Sequence, residues 1–253
     1  MAAFQAAIFF LMQNIPTLIF IKREYMVQGK IMLIAFCAAL LASSCKEHTI
    51  QEPAGEHKNV HYDPGTPTEA LTLLKEGNKR FLENKMINTD YRDRIEATIE
   101  DQYPHSVILS CMDSRIPPEI IFDQGIGNIF VTRIAGNIED ADILGSMEYA
   151  VKVKHVDLIL VMGHQDCAAV KGSIDNVQLG NLTQLLDHIK PAIKGDTANK
   201  KQMVEETVRN NIRLTMEHIL QKSEVIREMV KENKVKIAGA YYHLGTGEVE
   251  FIE

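Results

Sequence analysis

From about residue 67 onward, hydrophobic positions recur in two alternating rhythms. Leu71, Leu74, Phe81 and Leu82 follow Thr66-Pro67-Thr68-Glu69 at roughly helical spacing. A capping-box pair with proline at the first helical position then predicts a helix over 67–84. Short apolar runs come next, at Val107 to Leu109, Ile129 to Arg133, Val156 to Met162 and Val235 to Tyr242. Between them lie helical patterns at Pro118 to Asp123, Ala141 to Lys154, Ala168 to Asp175, Leu182 to Ile193, and a long one from about Gln202 to Glu232. Strands this apolar need cover on both faces, and connections that contain helices make neighbouring strands parallel. The expected fold is a single α/β domain, a mostly parallel central sheet flanked by helices. Tyr241 to Ile252, with Gly245-Thr246-Gly247 in the middle, reads as a closing hairpin.

Before residue 66 the pattern changes. Residues 31–42 are apolar or small without interruption, preceded by Lys30 and followed by Ser43, Ser44 and Cys45. That stretch is too short to span a bilayer as a helix and reads as the apolar region of a signal peptide. Leu41-Ala42-Ser43-Ser44-Cys45 resembles a bacterial lipobox, in which Cys45 becomes the lipid-modified first residue of the mature protein. A plain signal peptide cleaved nearby is the alternative. Met1 to Ile21 carries no charge before Lys22-Arg23-Glu24. Residues 1–25 are therefore expected to be either a mis-assigned start, with translation beginning at Met26, or an extra hydrophobic segment. The expected organisation is a lipoprotein-type signal peptide over 26–44, a polar tether over 45–65 and a folded domain over 66–253. This places the chain in a bacterial cell envelope, exported and lipid-anchored in the periplasm or outer membrane.

Composition narrows the function. With 253 residues, 45% hydrophobic and 24% charged, the chain is an ordinary globular protein rather than a disordered or multi-span one. A net charge of −7 argues against a nucleic-acid partner, which usually meets a basic face. The four cysteines, Cys37, Cys45, Cys111 and Cys167, are too few and too scattered for a disulfide scaffold.

The chemistry sits where strands are expected to end, the usual ligand position in open parallel sheets. One end carries Cys111-Met112-Asp113-Ser114-Arg115 and another His164-Gln165-Asp166-Cys167. Cys111, His164 and Cys167 supply two thiolates and an imidazole, a set suited to zinc, and three ligands leave a fourth position open for catalysis. Asp113 is the rival for that position, and as a permanent ligand it would close the site. The planar fork of Arg115 can instead hold it in a bidentate pair. A Cys111–Cys167 disulfide is the bland alternative for an exported protein.

Cys-x-Asp-x-Arg followed downstream by His-x-x-Cys, with 52 residues between Cys111 and His164, resembles the β-carbonic anhydrase family. Arg133-Ile134-Ala135-Gly136-Asn137 is similar to that family's Ala-Gly-Asn turn. The resemblance covers roughly residues 67 to 253. It implies one zinc ion per chain and reversible hydration of carbon dioxide to bicarbonate and a proton, through attack of zinc hydroxide on the substrate. Asp113 would orient the hydroxide and Arg115 would keep Asp113 ionised and displaced. Gln102 would hydrogen-bond the substrate, and Phe130 and Tyr149 would line the carbon dioxide pocket; by default both aromatics would be core residues. Two thiolate ligands donate more charge than imidazoles would, so activity should favour neutral to alkaline pH. The resemblance also implies at least a homodimer whose active site is built across the interface. Two departures stand out: Ala168 replaces a glycine near the bound substrate, and His243 stands where aspartate is common. The alternative function is a non-enzymatic lipoprotein that keeps the fold around a closed zinc site.

Overall fold

The computed structural model describes residues 64–195 and 199–252. Cys45, the segments over 1–25 and 26–44, and all but the end of the tether lie outside the described residues. Among the described residues no helix is long and apolar enough to cross a membrane.

Helix α1 (Pro67–Leu82) begins as its sequence dictates: Thr66 Oγ1 accepts from the Glu69 amide at 3.3 Å, and its hydroxyl donates to Glu69 Oε2 at 2.8 Å. A short helix α2 (Tyr91–Ala97) follows, capped by Asp90 and absent from the periodicity reading. Next come β1 (Ser106–Ser110), α3 (Pro118–Ile121), β2 (Ile129–Arg133), a 3-10 turn at Ala135–Asn137, α4 (Ala141–Lys152), β3 (Leu158–His164), α5 (Ala168–Ile174) and α6 (Gly180–Asp187). Helices α7 (Lys200–Lys222) and α8 (Glu224–Lys231) and strands β4 (Lys236–Tyr242) and β5 (Val249–Ile252) complete the domain.

The sheet order is β2-β1-β3-β4-β5, with the first four strands parallel and β5 antiparallel to β4. Strands β1 and β3 are buried along their whole length, which is why their sequences are continuously apolar. Edge strand β2 is only partly buried. The chain leaves β1 first to one side and later to the other, so β1 and β3 flank the point where the winding reverses. Ligands bind at such points.

Two helical expectations need correction. The long pattern from Gln202 to Glu232 is two helices, broken at Ser223. Ser223 Oγ caps α8 by accepting from the Ile226 amide at 3.1 Å and donates to Glu148 Oε1 at 2.6 Å, ending one helix and starting the next. The pattern from Leu182 to Ile193 is α6 plus a separate 3-10 turn, Lys190–Ala192, where Pro191 has no N–H to continue the ladder.

Helix α7 packs against the sheet at two glycines. A Cβ at Gly163 would stand 2.8 Å from Ile212 Cδ1, and one at Gly239 2.7 Å from Ile212 Cγ2, so these glycines leave the space that Ile212 fills. On the amino side, buried Asp123 gathers the chain that follows α1. Its carboxylate accepts from Arg80 Nε at 2.5 Å and from the amides of Ile87 and Asn88, while its carbonyl accepts from Asn88 Nδ2 at 2.7 Å. Arg94, buried under α2, donates to the Ile126 carbonyl at 2.7 Å and to Asn128 Oδ1.

Candidate metal centre

Cys111 leaves the end of β1, His164 ends β3, and Cys167 caps α5 three residues later. Because β1 and β3 are hydrogen-bonded neighbours, residues with 52 others between them in sequence meet. The ligand atoms of Cys111, His164 and Cys167 lie within 4.8 Å of one another, and all three residues are buried, at 4%, 0% and 1% exposure. The two sulfurs are 4.0 Å apart as free thiols, so the disulfide alternative is not what the structure holds.

The histidine is preset as a ligand. Its Nδ1 donates to the Gln165 carbonyl at 2.9 Å, which fixes the proton there and leaves the Nε2 lone pair free. Nε2 is buried with no hydrogen-bond partner, a state that costs free energy unless another group occupies it. Sulfurs about 3.8 Å apart are what two zinc–sulfur bonds of about 2.3 Å at a tetrahedral angle require, so the donor set fits zinc in both chemistry and spacing.

The contact between the two sulfurs pushes their ionisation in opposite directions. A hydrogen bond from Cys167 pulls the Cys111 thiol down to about 4, helped by the amides of Gly136 and Asp113 against the opposing effect of burial. The same hydrogen bond, with burial, pushes Cys167 up, although the amides of Val170 and Ala169 at the start of α5 point at its sulfur.

Asp113 lies outside the ligand group. Arg115 holds it from three directions: Nε to Oδ1 at 2.9 Å, the terminal guanidinium nitrogen to Oδ2 at 2.8 Å, and the Arg115 amide to Oδ1 at 3.0 Å. That pairing keeps the carboxyl well below the usual carboxylate range. Arg133 is a further support that motif reasoning missed, donating from Nε to the Cys111 carbonyl at 3.1 Å and from its guanidinium to the Asp113 carbonyl. Its position at the last residue of β2, paired with Ser110, was the available signal.

A model of the carbonic anhydrase family matches residues 106–249. Carbonic anhydrase 2 of Mycobacterium tuberculosis is 34% identical over 190 residues, covering 72% of this chain and 90% of the relative. The chain belongs to the β-class carbonic anhydrase family. The solved β-carbonic anhydrase CcaA is 26% identical with a TM-score of 0.58, covering 72% of this chain and 95% of that one. A structure from the tetrameric β-carbonic anhydrases of Sordaria macrospora shares the fold at 23% identity, with a TM-score of 0.57 and coverage of 72% and 95%.

A single chain does not bring its expected substrate residues to its own metal ligands. Gln102 is exposed and precedes β1, so the length of that strand, roughly 16 Å, separates it from Cys111. Phe130 is in register with Val107, four residues before Cys111, and faces Tyr149 at a ring separation of 6.4 Å. These two aromatics line an open cavity of about 560 Å³ between β2 and α4, together with Thr132, Ala141 and Gly145. Strand register therefore keeps Gln102, Phe130 and Tyr149 of one chain away from that chain's own metal ligands. Tyr149 is half exposed, not the core residue of the default reading. Ala168 is the exposed first residue of α5, beside buried Cys167. His243 packs edge-on against Tyr241 at 4.8 Å and approaches Glu250 at 3.5 Å, within the closing hairpin.

Proposed function

We propose that this chain is a zinc enzyme that reversibly hydrates carbon dioxide to bicarbonate and a proton. The observation that carries the reading is the convergence of three buried donors, one with a free imidazole nitrogen, beside a carboxylate that Arg115 holds out of the ligand group. Cys111, His164 and Cys167 would hold the ion, and zinc bound there supplies the Lewis acidity that makes water a nucleophile near neutral pH. Asp113 stays ionised through Arg115, and each carboxylate oxygen can accept a further hydrogen bond. It therefore takes the hydrogen bond of the attacking water and turns the water's lone pair toward the substrate carbon. The same clamp speaks against the closed-site alternative, which needs Asp113 free to ligate.

Gln102, Phe130 and Tyr149 act in the site of a second copy: the aromatics hold the apolar substrate and Gln102 donates to the oxygen that gains charge. An assembly is supported by apolar side chains left in solvent, among them Tyr91, Ile95, Ile99, Tyr149 and Val153. The Sordaria relatives are tetrameric. Export and lipid anchoring through Cys45 belong to the same proposal and are supported by the sequence pattern alone. Palmitate labelling and detergent partitioning should both be lost in Cys45→Ser, and labelling that persists would remove Cys45 as the anchor.

The test of the activity is stopped-flow hydration of carbon dioxide by the zinc-loaded protein at mildly alkaline pH, with Cys111→Ser as the blank. Turnover well above the blank is expected. Turnover equal to it, in a folded protein that retains zinc, would refute the enzyme reading.

A further inference from the structure

Helix α7 faces the sheet with a largely apolar stripe that includes Val204, Val208, Ile212 and Ile219, yet Asn211 lies in it at 1% exposure. An amide buried there is costly unless its hydrogen bonds are made. Asn211 Nδ2 donates to the Gly136 carbonyl at 2.7 Å, and the Gly136 amide donates in turn to Cys111 Sγ at 3.4 Å. Gly136 and Asn137 are successive residues at φ 71 and 43, a left-handed turn that the non-glycine residue adopts only against a steric cost. A grip on the Gly136 carbonyl holds that turn, and with it the direction of the amide on the other side of the same Cα. The height of the grip is fixed too, because the neighbouring Ile212 is seated against Gly163 and Gly239. Arg133 pins the main chain of 111–113 through carbonyls, whereas Gly136 reaches the sulfur itself from outside that segment.

We propose that Asn211 is a positioning residue of the metal centre, fixing the Gly136 amide on the Cys111 sulfur and so setting how Cys111 binds the metal. The inference rests on the zinc reading above. Hydrogen bonds from outside the ligand set orient the ligand atoms, and losing one typically costs 10–100-fold in metal affinity.

The experiment uses the full chain and two variants, Asn211→Asp, which keeps the shape without the donor, and Asn211→Ser, which is smaller and cannot reach. Thr215→Ser, one turn further along the same buried face, is the control. Zinc affinity is read by competition with a chromophoric chelator, and the sulfur-to-cobalt charge-transfer band is read in the cobalt-loaded protein. Both Asn211 variants should bind zinc about 10–100-fold more weakly, with a shifted cobalt band, while the control matches the native protein. Native affinity with an unshifted band in either folded Asn211 variant overturns the inference alone. Failure of the native chain to bind zinc overturns the zinc reading, and this inference with it. The native protein also carries a variant-free test: loaded with spin-active cadmium, it should show a scalar coupling from the metal through the Cys111 sulfur to the Gly136 amide proton. Absence of that coupling overturns the inference even if no variant folds.

Discussion

Adding one methyl group at Gly136 probes the turn that aims the Cys111 sulfur. Gly136 sits at φ 71, where an L side chain costs about 1–2 kcal/mol. The new Cβ would stand 2.5 Å from Ile189 Cδ1 and 3.3 Å from Ala169 Cβ. Ile189 can swing its terminal methyl aside, but it is fully buried, and crowding a packed core costs about 1–3 kcal/mol. Together the penalties come to roughly 2–5 kcal/mol for Gly136→Ala. For a domain of this size that lowers the melting temperature by roughly 5–15 °C. Ile189→Val removes the clashing atom and alone costs about 0.5–1.5 kcal/mol. The double variant keeps the backbone penalty and loses the clash, so it should exceed the sum of the singles in stability by roughly 1–3 kcal/mol. Denaturant unfolding of the four proteins at fixed zinc and protein concentration reads the cycle. A melting temperature for Gly136→Ala within about 2 °C of native, or strict additivity in the cycle, would refute the packing argument.

Asp113→Asn should keep zinc and lose most turnover, since an amide neither pairs with Arg115 as an anion nor accepts on both atoms. Native turnover in stopped-flow assays would remove Asp113 from the reaction. His105 is buried with Nδ1 2.7 Å from Ser106 Oγ and Nε2 3.1 Å from Gln124 Oε1, and burial holds its pKa below the ordinary value. The unfolded chain therefore binds more protons, so His105 contributes stability in full above about pH 6.5, lost as pH falls from there through the folded value. Urea midpoints for native and His105→Gln should converge on acidification, and parallel pH profiles would sink this reasoning. Ile95→Asp, on the exposed face of α2, should shift sedimentation toward monomer and lower turnover with it. An intact oligomer at native turnover would show that this face takes no part in assembly.

The metal ligands were legible because two short spacings, Cys-x-Asp-x-Arg and His-x-x-Cys, each sit at the end of an apolar run, and the fold followed from those runs. What stayed hidden depends on partners distant in sequence or on single breaks in a periodic pattern. Asn211 looks like one more polar position in a long helix until Gly136, 75 residues away, arrives beneath it. The break at Ser223 interrupts a pattern whose apolar spacing continues on both sides, and its reason, a bond to Glu148, is tertiary. Helix α2 is too short to announce itself by periodicity, and its anchor is the buried Arg94. The separation of Gln102 and Phe130 from Cys111 is a matter of which end of a strand each occupies, which a motif read as a string does not display.

Asp123 bears on how fast two copies can meet. Its carboxylate and carbonyl fasten the segment that leads into α2, and Arg94 fastens the helix from beneath, so Tyr91 and Ile95 are presented on a surface already ordered in the single chain. The conformational entropy of that surface is lost during folding and not again at association. Encounter should then be limited by orientation and diffusion, not by rearrangement, with an association rate constant in the ordinary range of about 10⁵–10⁷ M⁻¹s⁻¹. Loosening Asp123 would slow the proposed assembly while leaving Tyr91 and Ile95 themselves unchanged.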